Sequence, residues 1–399
     1  MELKDGLRSL VRIDFGGRVH KQFRGSQARE RCENEIRILR ALEDRGCLHV
    51  PRLLEHDIGQ LTIVTSNCGK PVEAIPQAKV TALFHELEQV YGVRHDDAAD
   101  RNITYDARAG RFCIIDFELA ELLPLPSPQS GPSIVHRIRW AVGSDRGAHH
   151  AGNEDAWLVL ELDGLRGRRL GDHGERFLET PLLFAVADGM GGGRAGELAS
   201  RLVLAGIRRK VHRLALDQSA HWRRQLEELI KEAHRDLNAF AQRDPKLEGM
   251  GCTLTLGLFY EQRVLVGHLG DSRLYLWREG ETSQISRDHT FAFAAWKRGE
   301  MQEYAYRQHP RRSALYEAIG GGRERVSPLV LEFPSLPGDR YLLCTDGIID
   351  GLWEEQIARF LTQPPPTETV RDDLMVKARA GDRSDDATAL LVDFAYRNA

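Results

Sequence analysis

Apolar and polar residues follow two rhythms along this chain. Short apolar runs closed by turn signals occur at "LLFAVAD", "CTLTLGLFY", "RVLVGHLGDSRLYLW", "RYLLCTDG" and "ATALLVDF", and these predict strands. Longer amphipathic stretches alternate with them. In "WRRQLEELIKEAHRDLNAFAQ" the residues Trp222, Leu226, Leu229, Ile230, Ala233, Leu237 and Phe240 recur at helical spacing, which predicts a helix with one buried face. Residues 196–215 show the same rhythm. Strands that succeed one another closely predict antiparallel sheets with helices packed outside them, an α+β arrangement. Nearer the amino end, "RVHKQFR" predicts a strand and "ARERCENEIRILRALED" a helix. Two further strand-like runs lie near "LTIVTS" and "RFCIIDF". Between the two patterned regions, "ELLPLPSPQSGPS" is rich in Pro and Ser and predicts a linker over residues 122–134. The expected division is a small domain over 1–121 and a larger one over 135–397.

Composition narrows the classes of partner. The 399 residues carry a net charge of −4, so neither nucleic acid nor an anionic membrane surface is implied. Hydrophobic residues make up 42% and no apolar run approaches a membrane span, so the chain reads as soluble. The amino terminus shows no signal-peptide core, and the six cysteines stand singly, which favours reduced thiols in the cytoplasm.

The candidate chemistry is acidic. Asp188, Asp271 and Asp346 each close an apolar run; Glu154 with Asp155, and Asp385 with Asp386, each precede one. One Asp at a strand end is commonly a turn former bonding its own backbone. Several at one sheet rim would repel unless cations lay between them. Oxygen donors without Cys or a close His pair favour Mg²⁺ or Mn²⁺ over zinc. A carboxylate bridging two such ions can hold a water between them as nucleophile, and Asp188 fits that role. Gly189, lacking a side chain, lets its carbonyl approach a metal.

In order, "SDRGAHHAGNEDAW", "VADGMGG", "GCTLTLG", "GHLGDSRLYLWREG", "ISRDHT", "HPRRSALYEAIGG", "CTDGIIDGL" and "RSDDATALLV" resemble a bacterial PPM-type (type 2C) metal-dependent serine/threonine protein phosphatase. The resemblance spans the region after the linker. It implies two antiparallel sheets in a sandwich flanked by helices (α-β-β-α), two or three Mn²⁺ or Mg²⁺ ions, and hydrolysis of phosphoserine and phosphothreonine in protein substrates without a phosphoenzyme. It implies that Asp188 bridges the metals, that the Gly189 carbonyl, Asp346 and Asp385 complete the core set, that Glu154 and Asp155 hold metal-bound water, and that Asp271 serves a third, weaker site. It also implies a mobile, substrate-touching flap in residues 289–312. Two positions depart from the pattern. His150 stands where the family often has a phosphate-gripping arginine, and a neutral imidazole is a poorer clamp than a guanidinium. Asp386 stands where Asn is usual; it either strengthens metal binding or hydrogen-bonds a neighbouring loop.

The amino-terminal piece carries a second pattern. His95, Asp97 and Asn102 fit the catalytic loop of protein kinases, and Asp116-Phe117 resembles the start of the DFG element. Lys21 resembles the strand lysine that contacts nucleotide phosphates, and Glu35 its helix partner. A full glycine-rich loop is missing, Glu118 replaces the DFG glycine, and no peptide-docking lobe precedes the linker. The resemblance implies a truncated kinase-like α+β domain in which ATP binding is open. Three readings follow: a phosphatase directed or regulated by that domain, a bifunctional kinase and phosphatase acting on one target, or a non-catalytic module that binds phosphorylated partners. A cognate kinase or its target is a further implied partner.

Overall fold

The computed structural model describes every residue except 1–2, 7, 15–16, 46, 48, 73–74, 107–110, 125–135, 163–166, 192–193, 215–221, 298, 365 and 396–399. The chain divides into two compact units, Met1–Ser130 with Lys297–Met301, and Gly131–Trp296 with Gln302–Ala399. Most of the expected linker falls on residues outside the described set. Its first residue does not: Glu121–Leu122 pairs antiparallel with Val93–Arg94.

In the first unit, five antiparallel strands stand in the order Leu3–Asp5, Ser9–Ile13, Val19–Phe23, Thr62–Thr65, Leu53–Asp57. The helix Ala28–Asp44 presents Cys32, Ile36 and Leu39 at a spacing of four and three, one stripe of an α-helix. That stripe is buried with Phe23 and Ile63 of the sheet. A second helix, Gln77–Gln89, shares the same core through Val80, Leu83 and Leu87. The hairpin Ile103–Asp106 and Arg111–Ile114 follows it.

The second unit is a sandwich of two six-stranded antiparallel sheets. One runs His173–Phe177, Arg137–Asp145, Ala387–Ala395, Arg340–Cys344, Arg273–Arg278, Glu281–Gln284. The other runs Gly167–Arg169, Ala156–Leu162, Leu182–Ala187, Leu254–Tyr260, Arg263–Leu269, Leu329–Pro334. Aromatic rings fill the space between them. Trp140 meets Phe184 at 5.9 Å, Phe184 meets Phe259 at 5.4 Å and Phe259 meets Tyr341 at 5.0 Å, the last two edge to face. Helices Arg194–Lys210 and Trp222–Ala241 cover the outer face of the second sheet, burying the predicted stripe of Trp222, Leu226, Leu229, Ile230, Ala233 and Leu237. Helices Asp346–Gly351, Glu354–Leu361 and Thr367–Gly381 cover the other.

The apolar run "RVLVGHLGDSRLYLW" is two strands in different sheets. The break is Gly270, whose φ of +109° is strained for any side chain, and a Cβ there would sit 2.6 Å from Thr253. The turn delivers Asp271 to the rim. Registers Ala156↔Ala187, Leu254↔Leu269 and Cys344↔Ala389 put the ends that carry Asp155, Asp188, Asp271, Asp346 and Asp385 on one edge of their sheets.

Candidate metal centre

Asp188, Asp271 and Asp346 converge. Each offers a carboxylate oxygen, and the three atoms lie within 4.8 Å of one another. Asp271 thus sits in the same group as Asp188 and Asp346. The backbone fixes the first of them: Asp188 N–H donates to Thr253 Oγ1 at 2.9 Å, and Asp188 O accepts from Thr253 N at 2.8 Å. Asp346 opens the helix Asp346–Gly351.

Gly189 is required by packing. A Cβ there would lie 2.2 Å from Gly196 O and 2.8 Å from Glu154 O, both backbone atoms. Its N–H donates to Glu154 O at 3.2 Å. The Glu154 carboxylate lies against Gly196, where a Cβ would be 2.0 Å from Oε2. Sequence reasoning saw the bare backbone and missed this reason for it.

Asp155 is buried, and its Oδ2 accepts hydroxyl bonds from Thr345 and Thr388, both at 2.7 Å. Neither threonine was singled out from the sequence, though each adjoins an acidic motif ("CTDG", "DDAT"). Asp155 Oδ1 and Asp346 Oδ1 are buried and without a hydrogen-bond partner among the described residues. Such orphaned oxygens are costly unless something else meets them.

Electrostatics says the same. Burial, then the Asp346, Asp155, Asp271 and Asp385 charges, push Asp188 well above the usual carboxylate range. Burial, then Asp346 and Asp288, do so for Asp271. Asp155 is pushed up to about 8 by burial, against the pull of its threonines. Asp346 is pushed up to about 6, by burial and then Asp385, with Arg312 pulling the other way. Arg312 lies in the flap-like segment and sequence reasoning gave it no role. A group made of three aspartates that resist ionising together, with an unmet oxygen on Asp346, suits hard divalent cations.

His150 belongs to a second group. Its Nδ1–H donates to Asp386 Oδ2 at 2.8 Å, with Asp385 Oδ1 at 3.7 Å, and the Asp386 bond raises its pKa. Asp386 also accepts from Gly147 N at 2.6 Å and Glu154 N at 2.7 Å. Of the two roles left open for Asp386, the loop clamp is the one these bonds describe.

In the first unit, Lys21, Glu35 and Asp116 come together. Lys21 Nζ donates to Glu35 Oε2 at 2.6 Å and Asp116 Oδ1 at 2.5 Å. Glu118 joins them at 3.5 Å and is held by Arg31 at 2.9 Å; both are buried, and Arg31 was missed from the sequence. Burial lowers the Lys21 pKa, but the carboxylates outweigh it and the net shift is upward. Asp116 takes φ of +69°, uncommon outside glycine. Asn102 Nδ2 donates to Asp97 O and Oδ2 at 2.8 and 2.9 Å, and Arg101 Nε grips Asp97 Oδ2 at 2.9 Å. His95 Nε2 donates to Ile115 O at 3.1 Å, tying the loop to the Asp116 segment.

An acid-rimmed sandwich of antiparallel sheets with helices on both outer faces is the fold of the PPM phosphatases. The family profile described as Protein phosphatase 2C matches residues 176–376, half of the chain. The serine/threonine protein phosphatase PstP of Mycobacterium tuberculosis is 34% identical over 256 residues, 64% of this chain and 45% of that relative, so the chain spans less than half of its length. The serine/threonine phosphatase stp of Listeria innocua is 30% identical over 213 residues, 52% of this chain and 82% of that relative. A solved structure of the catalytic domain of PstP in complex with 2 manganese ions superposes with a TM-score of 0.52 at 33% identity, covering 65% of this chain and 99% of that one. The chain belongs to the protein phosphatase 2C family.

Proposed function

We propose that residues 135–397 form a metal-dependent protein serine/threonine phosphatase that hydrolyses phosphoserine and phosphothreonine without a phosphoenzyme. The observation that carries this reading is the convergence of Asp188, Asp271 and Asp346 within 4.8 Å. Asp188, the Gly189 carbonyl, Asp346 and Asp385 would hold two Mn²⁺ or Mg²⁺ ions, Asp271 would serve a third, and Glu154 and Asp155 would support them. The orphaned Asp155 Oδ1 and Asp346 Oδ1 fit such ions, and manganese is bound by the related PstP catalytic domain. Bound there, the ions would supply Lewis acidity and an activated water.

The chain's own residues position the reactants. Thr345 and Thr388 lock Asp155 beside the cluster. Asp386 fixes the ring of His150 through Nδ1, which leaves Nε2 as the edge that can meet a phosphate oxygen. Arg312 adds a guanidinium whose charge reaches Asp346 and Asp271. The substrates would be phosphorylated proteins in the cytoplasm; no helix among the described residues is long and apolar enough to cross a membrane. Phosphate release from a phosphothreonine peptide tests the reading, with Mn²⁺, Mg²⁺ or a chelator present. Release only with metal supports it. Peptide binding with no turnover under any condition would favour a non-catalytic module.

The first unit is read as a truncated kinase-like domain that regulates or directs the phosphatase. The Lys21–Glu35–Asp116 contacts and the five-stranded sheet with its packed helix support this. The bifunctional alternative predicts phosphate transfer from ATP that disappears in Asp97→Ala and Asp116→Ala. Transfer unchanged in both would remove this site from consideration.

A further inference from the structure

A cavity of about 640 Å³ lies in the second unit, and Ser144, Asp155, Trp157, Arg169, Arg201 and Arg208 are among the residues that line it. Its wall is basic. Arg201 and Arg208 stand seven residues apart on the helix Arg194–Lys210, close to two helical turns, so both face the same side. Arg169 comes from a different element, the edge strand Gly167–Arg169.

The arginines are poorly compensated. Arg201 is exposed and pairs with the half-buried Glu197 at 2.8 Å one turn back on its own helix, a type of pair worth little. Arg169 and Arg208 have no carboxylate within 4.0 Å among the described residues. The helix C-terminus accounts for a cation at Arg208. It does not account for Arg169, which lies on a different element. The Arg169 guanidinium stacks 5.4 Å from the Trp157 ring centroid, an arrangement that fixes its plane and leaves its N–H edges available. Three guanidiniums line one cavity and two of them have no carboxylate partner among the described residues, which makes the cavity favourable for an anion.

Asp155 is the residue that the cavity and the acidic site share. That residue lines it, while its Oδ2 is bonded to Thr345, the neighbour of Asp346. A side chain entering here would belong to the same ligand as a group held at the acidic cluster, or to one lying against it. We infer that this cavity is an accessory anion site that takes the acidic side chains of a substrate segment flanking the phosphorylated residue. The inference rests on the phosphatase reading only for the word substrate. The acidic peptide itself would bind whether or not the metal centre turns over.

The test uses the full chain and a fluorescently labelled peptide with a run of glutamates and no phosphate. Its affinity is measured by anisotropy at low salt for wild type, R169A/R208A and D188A. The expected result is about a tenfold weaker Kd in R169A/R208A, as the loss of charge-assisted contacts predicts, with D188A close to wild type. R169K/R208K should recover part of the loss. Equal affinity in wild type and R169A/R208A would overturn the inference. So would loss of binding in D188A, which would place the peptide on the metal centre. Turnover of p-nitrophenyl phosphate with Mn²⁺ is read separately. If wild type fails there while still binding the acidic peptide, the phosphatase reading falls and the anion site stands.

Discussion

Asp386 accepts the Nδ1–H of His150 at 2.8 Å, and the same buried carboxylate accepts the backbone N–H groups of Gly147 and Glu154. One side chain thereby ties the loop around His150 to the strand that starts after Asp155. Asp386→Ala would strip three donors of their acceptor at a buried position. A loss of about 2–4 kcal/mol in stability is expected, together with a fall of tenfold or more in kcat/KM. Asp386→Asn keeps one acceptor oxygen and should lose less. Thermal unfolding and phosphate-release kinetics check both; wild-type behaviour in Asp386→Ala would contradict the clamp.

Gly189→Ala places a Cβ against the backbone carbonyls of Gly196 and Glu154, which no rotamer can relieve. The helix Arg194–Lys210 must shift away from the rim. The expected cost is about 1–3 kcal/mol, with activity falling further than stability because Asp188 is the adjacent residue. Full activity in a folded Gly189→Ala protein would show that the close approach is dispensable.

Stability should fall with acid through a group outside the rim. His268 is wholly buried, with Nε2 donating to Arg287 O at 3.0 Å and Nδ1 2.9 Å from Thr255 Oγ1. Burial pushes its pKa down to about 4. The unfolded chain therefore binds a proton at higher pH than the folded one. Its contribution is intact above about pH 6.5 and is lost as pH falls towards 4, by on the order of 3 kcal/mol at most. Chemical denaturation across that window should show a shallower slope in His268→Asn than in wild type.

Lys21 neutralises a group of carboxylates that Arg31 alone cannot balance. Lys21→Met should destabilise the first unit by about 3–5 kcal/mol, the cost of leaving buried charge unpaired. Limited proteolysis of residues 1–124 reads this directly. Metal-dependent phosphatase turnover serves as the control for the second unit.

Much of this was legible in the sequence because period and punctuation are local. The stripe from Trp222 to Leu237 and the runs ending at Asp188 and Asp346 needed only spacing to be read. What escaped depends on partners far away along the chain. That "RVLVGHLGDSRLYLW" splits between sheets follows from Gly270 meeting Thr253, and no periodicity reports it. Thr345 and Thr388 act through Asp155, some 190 and 233 residues distant. Arg31 and Glu118 pair across 87 positions. Each is an ordinary polar residue until the fold supplies its partner.

The most direct measurement compares wild type with Asp188→Ala for Mn²⁺ bound at equilibrium and phosphate released from a phosphothreonine peptide. The account predicts at least two ions in wild type, weakened binding in the variant, and loss of turnover by several orders of magnitude in a protein that still folds. Turnover by wild type in the presence of chelator, or turnover preserved in Asp188→Ala, would contradict it.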